Sequence, residues 1–370
     1  MEYTDYFSDL TDPRVERCKK HSLSDILMLT LCAVLGGAED FEQVANYGSS
    51  KQEFLRTFLS LPNGIPSHDT LNRVFSRLDP KELGATLARY GKELMDIVES
   101  KQICIDGKKM RGANPGTRGV GGLWVVSAWA ADQRLVLGQE KVSAKSNEKT
   151  AIPELLEVLD LEGAVVTIDA IGCQQSIAEQ IIAKEGDYVL AVKGNSKKLC
   201  KQVTTCVTEE LKASLPSHRQ LDADHGRFEQ RDCYVLSDLA LIDEAKQWTG
   251  AKSIVIIEAQ RNIKGQEQVE KQTRFYLSSL CETPENFNHI IRSHWSIENH
   301  LHWMLDVVFK EDQSRLRKGN APENMNTIRK TALQMLTRMK DPKSLKLSIK
   351  NRSKRAGWDD EYLLQILRQQ

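Results

Sequence analysis

The spacing of apolar residues changes along the chain, and the changes divide it. Up to about residue 98 they recur every three or four positions, as in amphipathic helices. Ser22 or Ser24 caps a helix that should end at Gly36-Gly37. Phe41–Tyr47 and Lys51–Leu59 are short amphipathic pieces, and Leu-Pro-Asn-Gly-Ile-Pro over 61–66 is a loop of strong breakers. Ser67–Leu78 places Leu71, Val74, Phe75 and Leu78 on one face and Asn72, Arg73 and Arg77 on the other. A short helix, a turn and such a helix fit either a DNA-reading helix-turn-helix or a plain packing unit. Leu83–Val98 closes this region.

From Lys101 the texture is strand-like. Ile103-Cys-Ile105 runs into Asp106-Gly-Lys-Lys and a Gly-rich loop over 112–122. Leu123–Ala130 and Arg134–Gly138 read as two strands around a turn at Asp132-Gln133. A helix over Thr150–Leu159, a strand over Ala164–Ile168 ending in Asp169, a helix over Gln174–Glu185 and a strand over Tyr188–Val192 follow. Three strands, helix, strand, helix, strand predict an α/β fold: a mixed five-stranded sheet with covering helices, in the order of ribonuclease-H-like domains. Residues 196–282 begin helical and then turn strand-like at Arg231–Leu236, Ser253–Gln260 and Gln272–Ser278, an inserted, partly β subdomain.

Pro284–Arg315 reads as one long helix, with Thr283 as its cap and Pro284 in its first turn. Its stripe of Phe287, Ile290, Ile291, Ile297, Leu301, Met304, Leu305 and Val308 contains Glu298. A carboxylate aimed at a core calls for a cation or donors opposite it. A helix over Asn324–Met339 and a basic tail over Lys343–Arg355 complete the chain. The expected division is 1–98 helical, 99–195 with 283–340 as catalytic core, 196–282 inserted, and 341–370 a basic C-terminal tail.

Composition adds little. Fifty-one Lys+Arg against 51 Asp+Glu leave no net charge, so any nucleic-acid surface must be local. Eight scattered cysteines without a CxxC pair suit reduced thiols and a cytoplasmic setting. The N-terminus lacks a signal pattern, and the longest apolar run, Ile26–Leu35, is too short to span a bilayer, so no membrane partner is expected.

The chemistry lies in the acids. Asp106 and Asp169 each end an apolar strand. If those strands are neighbours, the backbones lie ~4.8 Å apart and two carboxylates repel unless a cation intervenes. Mg²⁺ prefers such oxygen donors, and Glu298 from a facing helix would be the third. Three carboxylates can hold two metals roughly 3.5–4 Å apart, for in-line displacement at phosphorus. Taken singly, each aspartate also reads as a turn or cap residue. His294, Glu298 and His302, spaced by four, would allow zinc, but no HExxH is present. No P-loop and no serine or cysteine triad is found. Basic residues cluster nearby: Lys108, Lys109 and Arg111; Lys193, Lys197 and Lys198; Arg227 and Arg231; Lys310, Arg315, Arg317 and Lys318. Each cluster alone is a solvated face; beside three acids they fit a surface that tracks phosphates.

Longer blocks carry a resemblance. They are Asp12-Pro-Arg14, Ile105-Asp-Gly-Lys108 with Arg111-Gly112, Lys145-Ser-Asn-Glu148, Thr167-Ile-Asp-Ala170 with Gln174, Asp187-Tyr-Val-Leu190, Lys193-Gly-Asn195 and His225-Gly-Arg227. The strongest runs from His294-Trp-Ser-Ile-Glu298-Asn through Leu301-His-Trp303, Asp306 and Glu311-Asp312-Gln-Ser-Arg315 to Gly319-Asn-Ala-Pro-Glu323-Asn. Over nearly its whole length the chain resembles the DDE transposases of bacterial insertion sequences, in particular the group that includes the H-repeat proteins of Rhs elements. The resemblance implies a ribonuclease-H-like core with a β-rich insertion before the last acid. It implies Asp106, Asp169 and Glu298 as the catalytic and metal-binding triad, Mg²⁺ (or Mn²⁺) as cofactor, and DNA as partner, with cleavage and strand transfer as the activity. Such transposases commonly act as homodimers on paired ends. Related groups carry a tyrosine, an arginine and a lysine at spacings that fall on Ile291, His294 and Leu305; none matches, and His294 stands where the arginine would be. The candidate DNA contacts are Lys108, Arg111, Lys193, Arg227, Arg231, His294, Arg315, Arg317 and Lys318. Two alternatives stay open: a nuclease that cuts without joining, and a DNA-binding remnant without catalysis.

Overall fold

The computed structural model describes residues 7, 9–86, 102–113, 123–142, 148–194, 196–224, 227–263 and 270–368. Expected features that lie outside them are most of the Leu83–Val98 helix, most of the Gly-rich loop, Lys145–Asn147, Asn195 and His225-Gly226.

The described strands are β1 (Gln102–Met110), β2 (Leu123–Ala130), β3 (Leu135–Val142), β4 (Val165–Ile168), β5 (Asp187–Val192), β6 (Ser217–Asp224), β7 (Arg227–Leu236), β8 (Ser253–Ile263) and β9 (Glu270–Ser278). They form one mixed sheet in the order β3-β2-β1-β4-β5-β9-β8-β7-β6. β1 pairs antiparallel with β2 and parallel with β4, and β5 continues the parallel run. The expected sheet of five strands is thus a sheet of nine. The insertion does not fold apart: β9 pairs antiparallel along β5 and covers what would otherwise be an open edge. β6, Ser-His-Arg-Gln-Leu-Asp-Ala-Asp, escapes a hydrophobicity reading because it is mostly polar, with Leu221 its one large apolar residue, as suits the outer strand of a sheet.

Side-chain alternation sends Ile103 and Ile105 of β1, and Val166 and Ile168 of β4, to one face. That face packs under helices α1 (Glu148–Val158) and α2 (Gln175–Ala183). Cys104 belongs to the core on the opposite face. There lies α3 (Pro284–His294), started as expected by Thr283, whose Oγ1 accepts from the amide of Asn286. Gln102 Nε2 donates to the carbonyl of Ile290 at 2.8 Å, and Thr167 Oγ1 meets His294 Nδ1 at 2.8 Å, so β1 and β4 are both tied to this helix.

The single helix expected over Pro284–Arg315 is interrupted. α3 stops at His294, a π-helical turn occupies Glu298–His302, and α4 (Trp303–Val307) ends well before Arg315. The buried stripe runs through Ile297, Leu301 and Leu305, and Glu298 is exposed. The expected cation opposite Glu298 is accordingly missing: among the described residues none pairs with it, because the wide turn takes the carboxylate out of the stripe.

The C-terminal residues are not an extended tail. α5 (Ala321–Arg338) is buried almost throughout, and α6 (Ile349–Trp358) and α7 (Asp360–Arg368) pack beside it. They share a core with the early helices over Leu23–Leu35, Phe41–Ser50 and His68–Phe75. The residues between Leu23 and Leu83 and those beyond Ala321 thus form one helical body, with the same core reaching Trp129 and Val136 of the sheet.

Candidate active site

The pairing of β1 with β4 puts Ile105 beside Ile168. Each is followed by an aspartate. Asp106 still lies in β1, whereas Asp169 leaves β4 and caps a short 3-10 turn over Ala170–Gly172. With the isoleucines on the far face, alternation turns Asp106 toward the helix side. Asp106, Asp169 and Glu298 line a single cleft of about 580 Å³, together with Lys193, Arg274 and Trp295.

Each aspartate already holds a backbone amide. Asp106 Oδ1 accepts from the amide of Gly107 at 2.9 Å, and Asp169 Oδ1 from that of Ile171 at 3.0 Å. Among the described residues, no three His, Cys, Asp or Glu side chains converge closely enough in this conformation to share an ion. The donor set, three carboxylates on one cleft, is nonetheless the hard-oxygen chemistry that suits Mg²⁺ or Mn²⁺.

The two histidines of the zinc alternative lie largely out of solvent. Burial holds His294 down at about 4. It takes His302 to about 3, helped by the nearby Lys330, Lys108 and His294. Both are neutral at pH 7. His302 Nδ1 stands 3.5 Å from Asp106 Oδ2, a contact without a formal ion pair. His294, expected in place of an arginine, carries no positive charge; it ties the helix to Thr167. Ile291 and Leu305, at the other two divergent positions, are core residues.

Behind Asp106 lies a polar cluster that the sequence did not announce. Lys108 is nearly buried and meets Asp306 at 2.8 Å, Asp312 at 3.2 Å and Glu311 at 3.4 Å. Burial alone would lower its pKa, but Glu311, Asp306 and Asp312 outweigh that and hold it above the ordinary lysine value. Glu311 is fully buried and also accepts from Asn326 Nδ2 at 2.7 Å. Lys330, from α5, donates to Ser127 Oγ and to Gln139 Oε1, each at 2.7 Å. Ser127 is the residue opposite Asp106 across β1 and β2. Burial brings the Lys330 amine down to about 7. α5 therefore buttresses the strand pair that carries the first acid.

The other candidate DNA contacts divide. Lys193 is exposed on the cleft. Arg111 is exposed beside Asp312, 3.4 Å away. Arg317 is exposed and donates to the carbonyl of Gly112 at 3.1 Å. A Cβ on Gly112 would lie 2.2 Å from the Ser314 carbonyl oxygen, which explains the glycine of the Arg111-Gly112 pair. Arg315 lines a separate cavity with Glu39, Asp40 and Lys310, and Lys318 is exposed. Lys108 is taken up by carboxylates. Arg231 is buried in β7 near Glu229. The side chain of Arg227 lies outside the described residues. Arg274, not singled out in the sequence, lies over the Trp295 ring at 5.0 Å on the cleft wall. Arg292 pairs with Asp222 of β6 at 2.7 Å, joining the insertion to α3.

The chain is similar to known proteins over nearly all of its length. Residues 99–335 match the family described as Transposase DDE domain, and residues 4–90 match the one described as DDE_Tnp_1-associated. "Putative transposase YncI" of Escherichia coli O157:H7 is 38% identical over 98% of this chain and 93% of its own length. "H repeat-associated putative transposase YhhI" of Escherichia coli K12 is 37% identical over 98% of this chain and 97% of its own. A protein of Xanthobacter autotrophicus, named only by its place in the dhlA 3′ region, is 42% identical over 75% of this chain and 95% of its own. With the Transposase DDE domain matched over 99–335 and relatives 37% and 38% identical over 98% of its length, the chain belongs to the DDE transposases.

Proposed function

We propose that this transposase cuts DNA strands at the ends of a mobile element and joins them to target DNA, with divalent cations held by Asp106, Asp169 and Glu298. One observation carries the reading: the Ile105–Ile168 pair delivers both aspartates to the cleft that Glu298 also lines. The strand order β3-β2-β1-β4-β5 supports a ribonuclease-H-like core, widened by the insertion. In this reading 99–195 and 283–340 carry the reaction, and 1–98 and 196–282 flank it.

When bound, Mg²⁺ or Mn²⁺ would lower the pKa of the attacking water or 3′-hydroxyl and offset charge on the leaving oxygen. The chain's own residues do the rest. The backbone pairing of β1 with β4 sets the places from which Asp106 and Asp169 reach the cleft that Glu298 also lines. Lys193 and Arg274 meet the phosphates that flank the scissile bond, as charges on the cleft wall. Trp295 backs the Arg274 guanidinium and offers a ring to an unstacked base. Neutral His294 holds the helix against β4 without adding charge.

The test is a strand-transfer assay with labelled duplexes carrying the DNA that borders the gene. Joined products in Mg²⁺ are expected. Hydrolysis alone would mean a nuclease that cuts without joining, and binding without cleavage would mean a remnant that has lost catalysis.

A further inference from the structure

The basic segment after α5 has a second face that the cleft does not use. Residues 340–355 hold seven cations and one acid, Asp341, in a chain whose charges otherwise balance. The structure sorts these cations by type. Both arginines are used inside the protein. Arg352 is buried and donates to the carbonyls of Ser344 at 3.0 Å, Leu347 at 3.2 Å, Leu336 at 2.8 Å and Thr337 at 3.3 Å. Arg355 pairs with Asp341 at 3.3 Å and Asp359 at 3.4 Å, and its guanidinium stacks over Tyr362. Asp341, the one acid, is consumed by that arginine and by Ser344.

The five lysines are the reverse. Lys340, Lys343, Lys346, Lys350 and Lys354 are all exposed, and among the described residues none forms an ion pair. Lys346, Lys350 and Lys354 succeed one another at four-residue spacing, and the last two share one face of α6, about 6 Å apart along its axis. Arg352, by closing four carbonyls at the corner between α5 and α6, holds this ridge in one shape. Trp358, further along α6, is 77% exposed.

Resting on the function proposed above, we propose that this lysine ridge is a second DNA-binding surface, which grips duplex phosphates away from the acid cleft. A row of uncompensated charges on a rigid corner suits an extended polyanion better than one isolated phosphate. An anionic lipid surface would call for a broad apolar face beside the lysines. Two exposed apolar side chains, Leu345 and Trp358, do not make such a face, and Ala356 of α6 is spent on the core.

The test uses the full chain and a 40-base-pair duplex (a length chosen to exceed one cleft, on the order of four helical turns) without element ends. Its binding is followed by fluorescence anisotropy at several salt concentrations. The variant carries Lys346→Gln, Lys350→Gln and Lys354→Gln. A control loses the same charge at three exposed lysines elsewhere, Lys20→Gln, Lys201→Gln and Lys252→Gln. The ridge variant should bind at least about tenfold more weakly near 0.1 M salt, and its salt slope should flatten by about 2.7, with roughly 0.9 for each phosphate that is no longer neutralised. The control should stay within about twofold of the parent. Unchanged affinity and slope in the ridge variant, or an equal weakening in the control, would overturn the proposal. So would a ridge effect seen on phosphatidylserine vesicles and absent on DNA. A parent that cuts labelled ends while the ridge variant binds normally would sink the ridge alone. A parent that binds no such duplex would sink the ridge alone, whereas the reading of the acid cleft falls only if labelled ends are neither cut nor joined.

Discussion

Asp106 and Asp169 each follow by one residue the paired Ile105 and Ile168 of two parallel strands, Asp106 still within β1 and Asp169 just past the end of β4. That placement comes from backbone register, so it persists when either carboxylate is changed. That makes conservative substitution informative about chemistry.

Asp169 does two jobs that can be separated. Its side chain caps the Ala170–Gly172 turn through the amide of Ile171. Asparagine can keep that cap while losing the charge. Asp169→Asn should therefore lower end cleavage at least a hundredfold with a nearly unchanged denaturation midpoint. Asp169→Ala should also cost about 1 kcal/mol of stability. Equal activity in Asp169→Asn and parent would remove this residue from the reaction.

Lys108 is predicted to matter for folding before it matters for DNA. It is the shared partner of Asp306, Glu311 and Asp312, and Glu311 is fully buried. Lys108→Met removes the cation that the three acids share. Among the described residues it leaves as cations only the buried Arg329 for Glu311, at 3.9 Å, and Arg111 for Asp312, at 3.4 Å. The change should cost roughly 3 kcal/mol, read from urea unfolding. If instead the variant is as stable as the parent and only its DNA affinity falls, the lysine faces DNA after all.

His294 sets an acid limit on stability. Its folded pKa of about 4 lies below the ordinary 6.5, so between those values the unfolded chain binds a proton that the native one refuses. The stabilisation is complete above pH 6.5 and is lost as the pH falls toward 4, at up to about 1.4 kcal/mol per pH unit. His294→Asn can keep a bond to Thr167 and lacks the titration. The stability gap between parent and variant should therefore narrow from pH 7 to pH 5 in chemical denaturation. A constant gap would show that the imidazole is solvated.

The sequence and the structure agree where local pattern decides. The apolar runs that end in Asp106 and Asp169 are strands, and Thr283 caps the helix after Pro284. They part where distant contacts decide. The three-and-four spacing runs straight through Glu298, so nothing local announces the wide turn that exposes it. Lys108 and Arg231 read as surface charges because composition is blind to burial; the acids around Lys108 come from about 200 residues later. Mostly polar β6 gives little apolar signal, and its place is set by β7 alongside it. Lys330 lies in a helix read from sequence by its bounds alone, and the docking of α5 on β2 and β3 is what buries it.

The central claim is that three carboxylates from separate segments serve common ions. Mn²⁺ titration followed by electron paramagnetic resonance, on the protein bound to end DNA, measures this without relying on turnover. Asp106→Asn, Asp169→Asn and Glu298→Gln should each weaken Mn²⁺ binding at least tenfold while DNA stays bound. Wild-type Mn²⁺ affinity in any one of the three would contradict the shared site.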